Sequence, residues 1–298
     1  QIQSSLFCIF DNINNLLLMI DIELEKFIKE SLKEDIKDGD HTTLACIDKN
    51  TTNSAELIAK DNGVIAGIEL ALLIFNEVDK KLDIKTKYND GDAVRNGDVI
   101  MTITGNSHSI LTAERLVLNC MQKMSAIASK TRHICNLISE TNAKVLDTRK
   151  TTPLNRKIQK WAVKIGGGEN HRNGLYDMIM IKDNHIDFSK GITNAIKKTK
   201  DYVEKENKTL DIIVETRNIN EVKEVIKEGG IRRILLDNFN YTDTRKAVKI
   251  IGNKFETESS GGIDESNILE YAKCGVDYIS LGSLTHTIKN FDLSLKAI

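Results

Sequence analysis

The sequence has 298 residues, 40% of them hydrophobic and 29% charged, enough for one large domain or two ordinary ones. Its 42 Lys and Arg nearly cancel 43 Asp and Glu, and aromatics make up only 5%, which excludes a general nucleic-acid binder with a basic, aromatic-rich stripe. Cys8, Cys46, Cys120, Cys135 and Cys274 form no C-x-x-C pair and are odd in number. They argue against a disulfide framework or a zinc site and for reduced thiols in a cytoplasmic protein, with Cys120 and Cys135 as small core residues.

Residues 1–18 are apolar and Asn-rich and read as an extension foreign to the fold or as an upstream start, with Met19 a natural beginning. They lack the basic front end and small-residue cleavage site of a signal peptide. The apolar run Leu16 to Ile20 is too short to span a bilayer, so no membrane partner is expected. Residues 22–35 then predict an amphipathic helix, and Gly39 to Thr43 a turn. Short strands follow near Ser54–Lys60, Val64–Ala66, Lys81–Tyr88 and Val99–Thr104, with a helix at Ile68–Val78. From Ser109 to Glu140 the pattern is helical almost without a breaker, and Thr112 is placed to cap part of it. This half is an α+β domain spanning 19–112.

From residue 113 onward the pattern becomes regular. Strands are predicted at Lys144–Leu146, Met178–Ile181, Leu210–Val214, Arg232–Leu236, Lys254–Thr257 and Val276–Leu281. Helices fall between them at 155–165, 190–206, 219–228, 241–251 and 264–274. Such alternation predicts parallel strands with crossover helices. Each strand ends in polar residues: Asp147 and Arg149; Lys182 to His185; Glu215; Asp237 and Asn238; Glu258 to Ser260; Ser280 and Gly282. In a (β/α) barrel these ends converge on one face, where active sites lie. Loop polarity explains one or two such ends, but six call for a common cause.

Arg149, Lys150, His171, Arg172 and Lys182 suit a ligand with several anionic groups, because Arg grips carboxylate or phosphate in a bidentate way. Glu215 and Asp237 suit Mg²⁺ bridged by phosphate oxygens, or else salt bridges to barrel cations. Lys182 is also compatible with Schiff-base chemistry, although an anionic substrate accounts better for the neighbouring cations. Ser260, Gly261 and Gly262 follow a strand and precede a helix, and Gly282, Ser283 and His286 follow the next strand. Together they fit a phosphate cradle at the last two strand ends. Gly166 to Gly168 are expected to end a helix and to let the chain approach the site closely.

Three runs carry a resemblance: Asp147-Thr148-Arg149-Lys150-Thr151-Thr152-Pro153, Gly166-Gly167-Gly168-Glu169-Asn170-His171-Arg172-Asn173-Gly174-Leu175, and Ile181-Lys182-Asp183-Asn184-His185. With Glu114-Arg115, Val214-Glu215, Leu236-Asp237-Asn238, Glu258 to Gly262 and Leu284-Thr285-His286, they resemble the quinolinate phosphoribosyltransferase family over nearly all of the chain after Met19. The resemblance implies an open-faced α+β sandwich followed by an incomplete (β/α) barrel at 113–298. It implies transfer of the phosphoribosyl group of phosphoribosyl pyrophosphate to quinolinate with decarboxylation, giving nicotinate mononucleotide, pyrophosphate and CO₂. It further implies a Mg²⁺ cofactor and a homodimer or higher oligomer in which Arg115 reaches the partner's site. By the same resemblance Arg149, Arg172 and Lys182 hold the two carboxylates, with His171 beside them. Lys150 contacts the phosphorylated sugar, Glu215 and Asp237 face ribose and Mg²⁺-pyrophosphate, and Ser260, Gly261, Gly262, Gly282 and His286 hold the 5′-phosphate. Leu154 and Ala126 depart from the pattern, each standing where the family commonly has Gly. Alternatives are a paralogous phosphoribosyltransferase acting on another aromatic acid and a non-catalytic phosphate sensor. The Lys182-Asp183-Asn184-His185 run weighs against the first, and retention of Glu215 and Asp237 against the second.

Overall fold

The structure is a computed structural model that describes residues 22–298, so the extension at 1–18 lies outside the described residues. The chain divides into two compact units. The first holds the described residues up to Asn62 together with Gly67–Gln122 and Phe291–Ile298, and the second holds Gly63–Ala66 and Lys123–Asn290. The sequence reading put its boundary at 112. The division instead falls inside one continuous helix and returns residues from Phe291 onward to the first unit.

The first unit begins with helix α1 (Ile22–Ile36), whose Leu24, Ile28 and Leu32 form a buried stripe at a spacing of four. The predicted turn at 39–43 is in fact the start of a short helix, α2 (His41–Cys46), because the Asp40 side chain accepts from Thr43 N at 3.1 Å and caps it. Strands β1 (Thr52–Ala59), β3 (Asp83–Thr86), β5 (Val99–Asn106) and β12 (Leu293–Ala297) form an antiparallel sheet in the order β12-β1-β5-β3. Two-residue strands β2 (Gly63–Val64) and β4 (Ala93–Val94) complete the numbering up to β5. Along β1, Ala55, Leu57 and Ala59 are buried in alternation, so one face of the sheet is the core face. Helix α3 (Ile68–Val78) supplies the buried Leu70, Ile74 and Phe75. The carboxylate of Asp90, 22 residues away, accepts from Ile68 N at 2.9 Å and satisfies its first turn.

Helix α4 (Ser107–Leu137) is a single span, and Thr112 lies inside it rather than at a cap. It starts earlier because Asn106 accepts from His108 N at 2.9 Å and from Ser109 N at 3.3 Å. Burial pushes the Cys120 thiol in this helix up to about 12, as expected of a core cysteine.

The second unit is a six-stranded parallel sheet. Its strands are β6 (Lys144–Leu146), β7 (Ile179–Ile181), β8 (Ile212–Thr216), β9 (Arg233–Asp237), β10 (Glu256–Ser260) and β11 (Tyr278–Ser280), in the order β6-β11-β10-β9-β8-β7. Strands β7 to β11 are neighbours in chain order, and the first strand, β6, lies beside the last. A singly wound sheet that closes in this way is a barrel, open only between β6 and β7. Beside β6, Glu169 makes a parallel bridge to Leu146 and donates its N–H to Val145 O at 2.8 Å. Helices α5 (Arg156–Ile165), α6 (Asp183–Phe188), α7 (Ile192–Lys205), α8 (Ile219–Glu228) and α9 (Tyr241–Ile251) follow the strands in turn. All of β8 and the first four residues of β9 are buried, as expected of strands covered on both faces.

The predicted helix at 264–274 shortens to α10 (Ile268–Ala272). Asp264 accepts from Ser266 N at 2.8 Å while Asn267 accepts from Asp264 N at 2.9 Å, and this local side-chain bonding displaces the first helical turn. Gly166 ends α5, as expected, but the glycines make their close approach to helix α4. A Cβ on Gly166 would lie 2.6 Å from Ala128 O, and one on Gly168 would lie 2.9 Å from Thr131 Cγ2.

Candidate active site

The six carboxyl ends bring the predicted residues of the second unit onto one face of the barrel. Arg149 and Lys150 follow β6 and are both exposed, while Arg172 follows the Glu169 bridge and is only 9% exposed. Lys182 follows β7, Glu215 lies on β8, Asp237 ends β9 and Ser260 ends β10, where it pairs in register with Asp237. Gly282 follows β11 and opens the short helix α11 (Ser283–His286).

The cations crowd one another. Burial lowers the affinity of the Arg172 guanidinium for its proton, and the nearby charge of Arg149 lowers it further. Two guanidiniums so placed favour an anion between them. Arg172 also donates to Met178 O at 3.2 Å, which fixes its direction.

Lys182 Nζ donates to Glu215 Oε2 at 2.9 Å. Of the two readings left open for Glu215, the salt bridge to a barrel cation is therefore present. The Asp237 carboxyl is raised above the ordinary range by burial and then by the negative charge of Glu215, which outweigh the opposing pull of Asn238 and Lys182. Its side chain accepts from Asn238 Nδ2 at 2.8 Å. Among the described residues no cluster of three or more His, Cys, Asp and Glu could hold a metal ion. Two carboxylates whose fields oppose each other still suit a cation that draws its other ligands from a bound phosphate and water.

At the far end of the face, Thr285 Oγ1 donates to Lys150 O at 2.8 Å, tying the β6 loop to α11. A Cβ on Gly282 would lie 2.8 Å from Lys150 Cδ and 3.0 Å from His286 Cδ2, so only glycine lets these two side chains meet there. Gly261 and Gly262 both take positive φ, +91° and +62°. A Cβ on Gly261 would lie 2.9 Å from Asn238 N, whereas Gly262 faces open space.

Three residues without an assigned part in the sequence reading hold this face. Lys160, on the buried side of α5, forms an ion pair with Asp147, and the two side chains are 2% and 0% exposed. Burial pushes the Asp147 carboxyl up and the Lys160 ammonium down. The pair clamps one residue: Asp147 accepts from His171 N at 2.8 Å and Lys160 donates to His171 O at 2.9 Å. Lys160 was legible only as a charge on the apolar stripe of α5, between Ile158 and Ala162. The third is Arg233, which donates to Glu258 at 2.9 Å inside the barrel. His171 itself is 7% exposed, and its Nδ1 accepts from Arg172 N at 2.7 Å. His185 likewise spends its Nδ1 on Lys182 N, at 3.0 Å. Arg115 lies on the exposed side of α4 in the first unit.

The family model described as the quinolinate phosphoribosyl transferase C-terminal domain matches residues 127–296, and the model for the N-terminal domain matches residues 40–125. The chain belongs to the quinolinate phosphoribosyltransferase family. It is 42% identical to the chloroplastic nicotinate-nucleotide pyrophosphorylase (carboxylating) of Arabidopsis thaliana, over 92% of this chain and 82% of that protein. It is 36% identical to the probable nicotinate-nucleotide pyrophosphorylase (carboxylating) of Bacillus subtilis, over 92% and 93%. The solved nicotinate-nucleotide pyrophosphorylase of Francisella tularensis superposes with a TM-score of 0.86 at 38% identity, covering 93% of this chain and 96% of that one. Among the described residues no helix is long and apolar enough to cross a membrane.

Proposed function

We propose that this chain is a pentosyltransferase that joins quinolinate to phosphoribosyl pyrophosphate and releases pyrophosphate and CO₂, leaving nicotinate mononucleotide. The observation that carries the reading is the buried Arg172, under the positive charge of the exposed Arg149, on the face that also holds Lys182, Glu215 and Asp237. A pyridine with two adjacent carboxylates is an anion of the right kind for such a clamp. One carboxylate goes to Arg149 and Arg172, and the other draws Lys182 away from Glu215.

The ring nitrogen attacks the anomeric carbon as the carbon–oxygen bond to pyrophosphate breaks. Positive charge grows on the ribose, and the Glu215 and Asp237 carboxylates stabilise it. Lys150 and His286, meeting over Gly282, take the phosphorylated end of the sugar, with the backbone of Ser260, Gly261 and Gly262 beside them. After transfer the ring nitrogen is cationic and accepts the electron pair left when the adjacent carboxylate departs as CO₂. Glu215 and Asp237 are the residues that would hold Mg²⁺, which would supply positive charge to the leaving pyrophosphate. The working unit is a homodimer, with Arg115 serving the partner's site, and the protein acts in the cytoplasm.

Purified protein with quinolinate, phosphoribosyl pyrophosphate and Mg²⁺ is expected to form nicotinate mononucleotide, pyrophosphate and CO₂. Turnover of nicotinate in place of quinolinate, or no turnover of either, refutes the reading. Mixing Arg115→Ala with Arg149→Ala chains restores part of the activity in verified heterodimers if sites are shared, and no recovery counts against sharing.

A further inference from the structure

Glu258 is a buried carboxylate that the reaction outlined above does not use. It is the third residue of β10 and 0% exposed. An ionised carboxylate leaves water at a large cost, which opposite charges must offset. Glu258 Oε2 accepts from Arg233 Nη1 at 2.9 Å and faces His171 Nε2 at 3.3 Å. Burial alone raises the Glu258 carboxyl, but His171 and Arg233 outweigh it and hold the group below the ordinary range. Arg233 is held in turn by Glu256 at 2.9 Å and by the face of Tyr278, 3.7 Å from the ring centre.

His171 links this buried charge to the anion clamp. Its Nδ1 accepts the Arg172 N–H, so in the neutral ring the proton sits on Nε2. That nitrogen faces Glu258 Oε2 at 3.3 Å without a formed hydrogen bond, and Glu258 Oε1 is likewise without a hydrogen-bond partner. The other ionic groups around the ring are Asp147 and Lys160, both tied to the His171 backbone, and Arg172 itself.

We propose that Glu258 is a positioning residue: through His171 it fixes the ring tautomer that accepts the Arg172 amide, and so sets the approach of the Arg172 guanidinium to a substrate carboxylate. The proposal rests on the assignment of Arg172 to the acid clamp.

Two readouts on the full chain test it: steady-state kinetics and the backbone amide resonance of Arg172. In Glu258→Gln, KM for quinolinate is expected to rise about tenfold, while kcat and KM for phosphoribosyl pyrophosphate stay within about twofold. The Arg172 amide proton moves upfield without any ligand present, as its bond to Nδ1 weakens. Placed on a His171→Asn background, Glu258→Gln adds nothing further to KM. Additive effects overturn the proposal, as does an unmoved amide. A parallel change in kcat and both KM values also overturns it, since a loosened barrel gives that pattern. If Glu258→Gln does not fold, Glu258→Asp withdraws the carboxylate by one methylene and is read in the same way. Failure of the parent chain to turn over quinolinate sinks the functional reading instead, and the amide measurement still decides the link to Arg172.

Discussion

The two ends of the barrel strands are both rich in charge, yet they are built in opposite ways. At the amino ends charged side chains are satisfied by ion pairs or by backbone donors. Arg232 pairs with Asp211 and with Glu256, Arg233 with Glu256, and Lys144 with Glu169 at 2.8 Å, while Asp277 accepts from Thr257 N at 2.7 Å. At the carboxyl ends like charges act on one another, Arg149 on Arg172 and Glu215 on Asp237, while Lys182 bridges to Glu215. Composition cannot tell these ends apart. Pairing can: the satisfied end serves stability, and the frustrated end is poised for an outside ligand.

The contrast can be broken from either side. The largest effect is expected at the buried pair beneath the frustrated face. Lys160→Ala leaves the Asp147 charge alone in the interior and should cost about 3–5 kcal/mol of stability, read by denaturant unfolding. Arg149→Ala should leave the melting temperature nearly unchanged and lower kcat/KM by roughly 10²-fold, the loss of about 2–3 kcal/mol of charge-assisted bonding in the transition state. Near-normal turnover would remove Arg149 from the clamp.

Asp237 gives a test with a sign. Its folded carboxyl is raised, so the ionised form opposes folding at neutral pH, and that penalty fades as pH falls toward the ordinary carboxylate range. Asp237→Asn should therefore melt higher than the parent at neutral pH, converge with it in acid, and be inactive. At the satisfied end, Arg232→Ala should cost roughly 1 kcal/mol or less, because its partners are exposed, and should leave kcat/KM untouched. Smallest of all is Leu154→Gly. Leu154 takes φ +62° and is 97% exposed, so the change removes a left-handed leucine but loosens the unfolded chain, and should stabilise by only about 0.5 kcal/mol in the same unfolding assay.

The barrel was legible because its strands are short apolar runs with polar ends, and helices 219–228 and 241–251 fall where periodicity puts them. The gathering of Arg149, Arg172 and Lys182 on one face was legible because they stand in recognisable runs near strand ends. What escaped has a common cause in distance along the chain. Strand β12 is a short run with no local signal, and its partner β1 lies more than 200 residues earlier. Lys160 and Asp147 are 13 residues apart, and nothing in either position announces the other. His171 was placed beside the substrate, but that its Nδ1 accepts from Arg172 N while its Nε2 faces Glu258 is visible only once β10 is beside it. The Gly166–Gly168 run was understood as shape, yet what it accommodates is a helix 30 to 40 residues earlier.

The pairing of β12 with β1 has a consequence for how the molecule is made. The strand at the centre of the antiparallel sheet leaves the ribosome early, but one of its two neighbours is not synthesised until the whole barrel has been. The first unit therefore cannot complete its sheet until β12 has been made, and until then β1 carries an unpaired edge open to association with other chains. Every residue of the barrel is on hand before that edge can be covered.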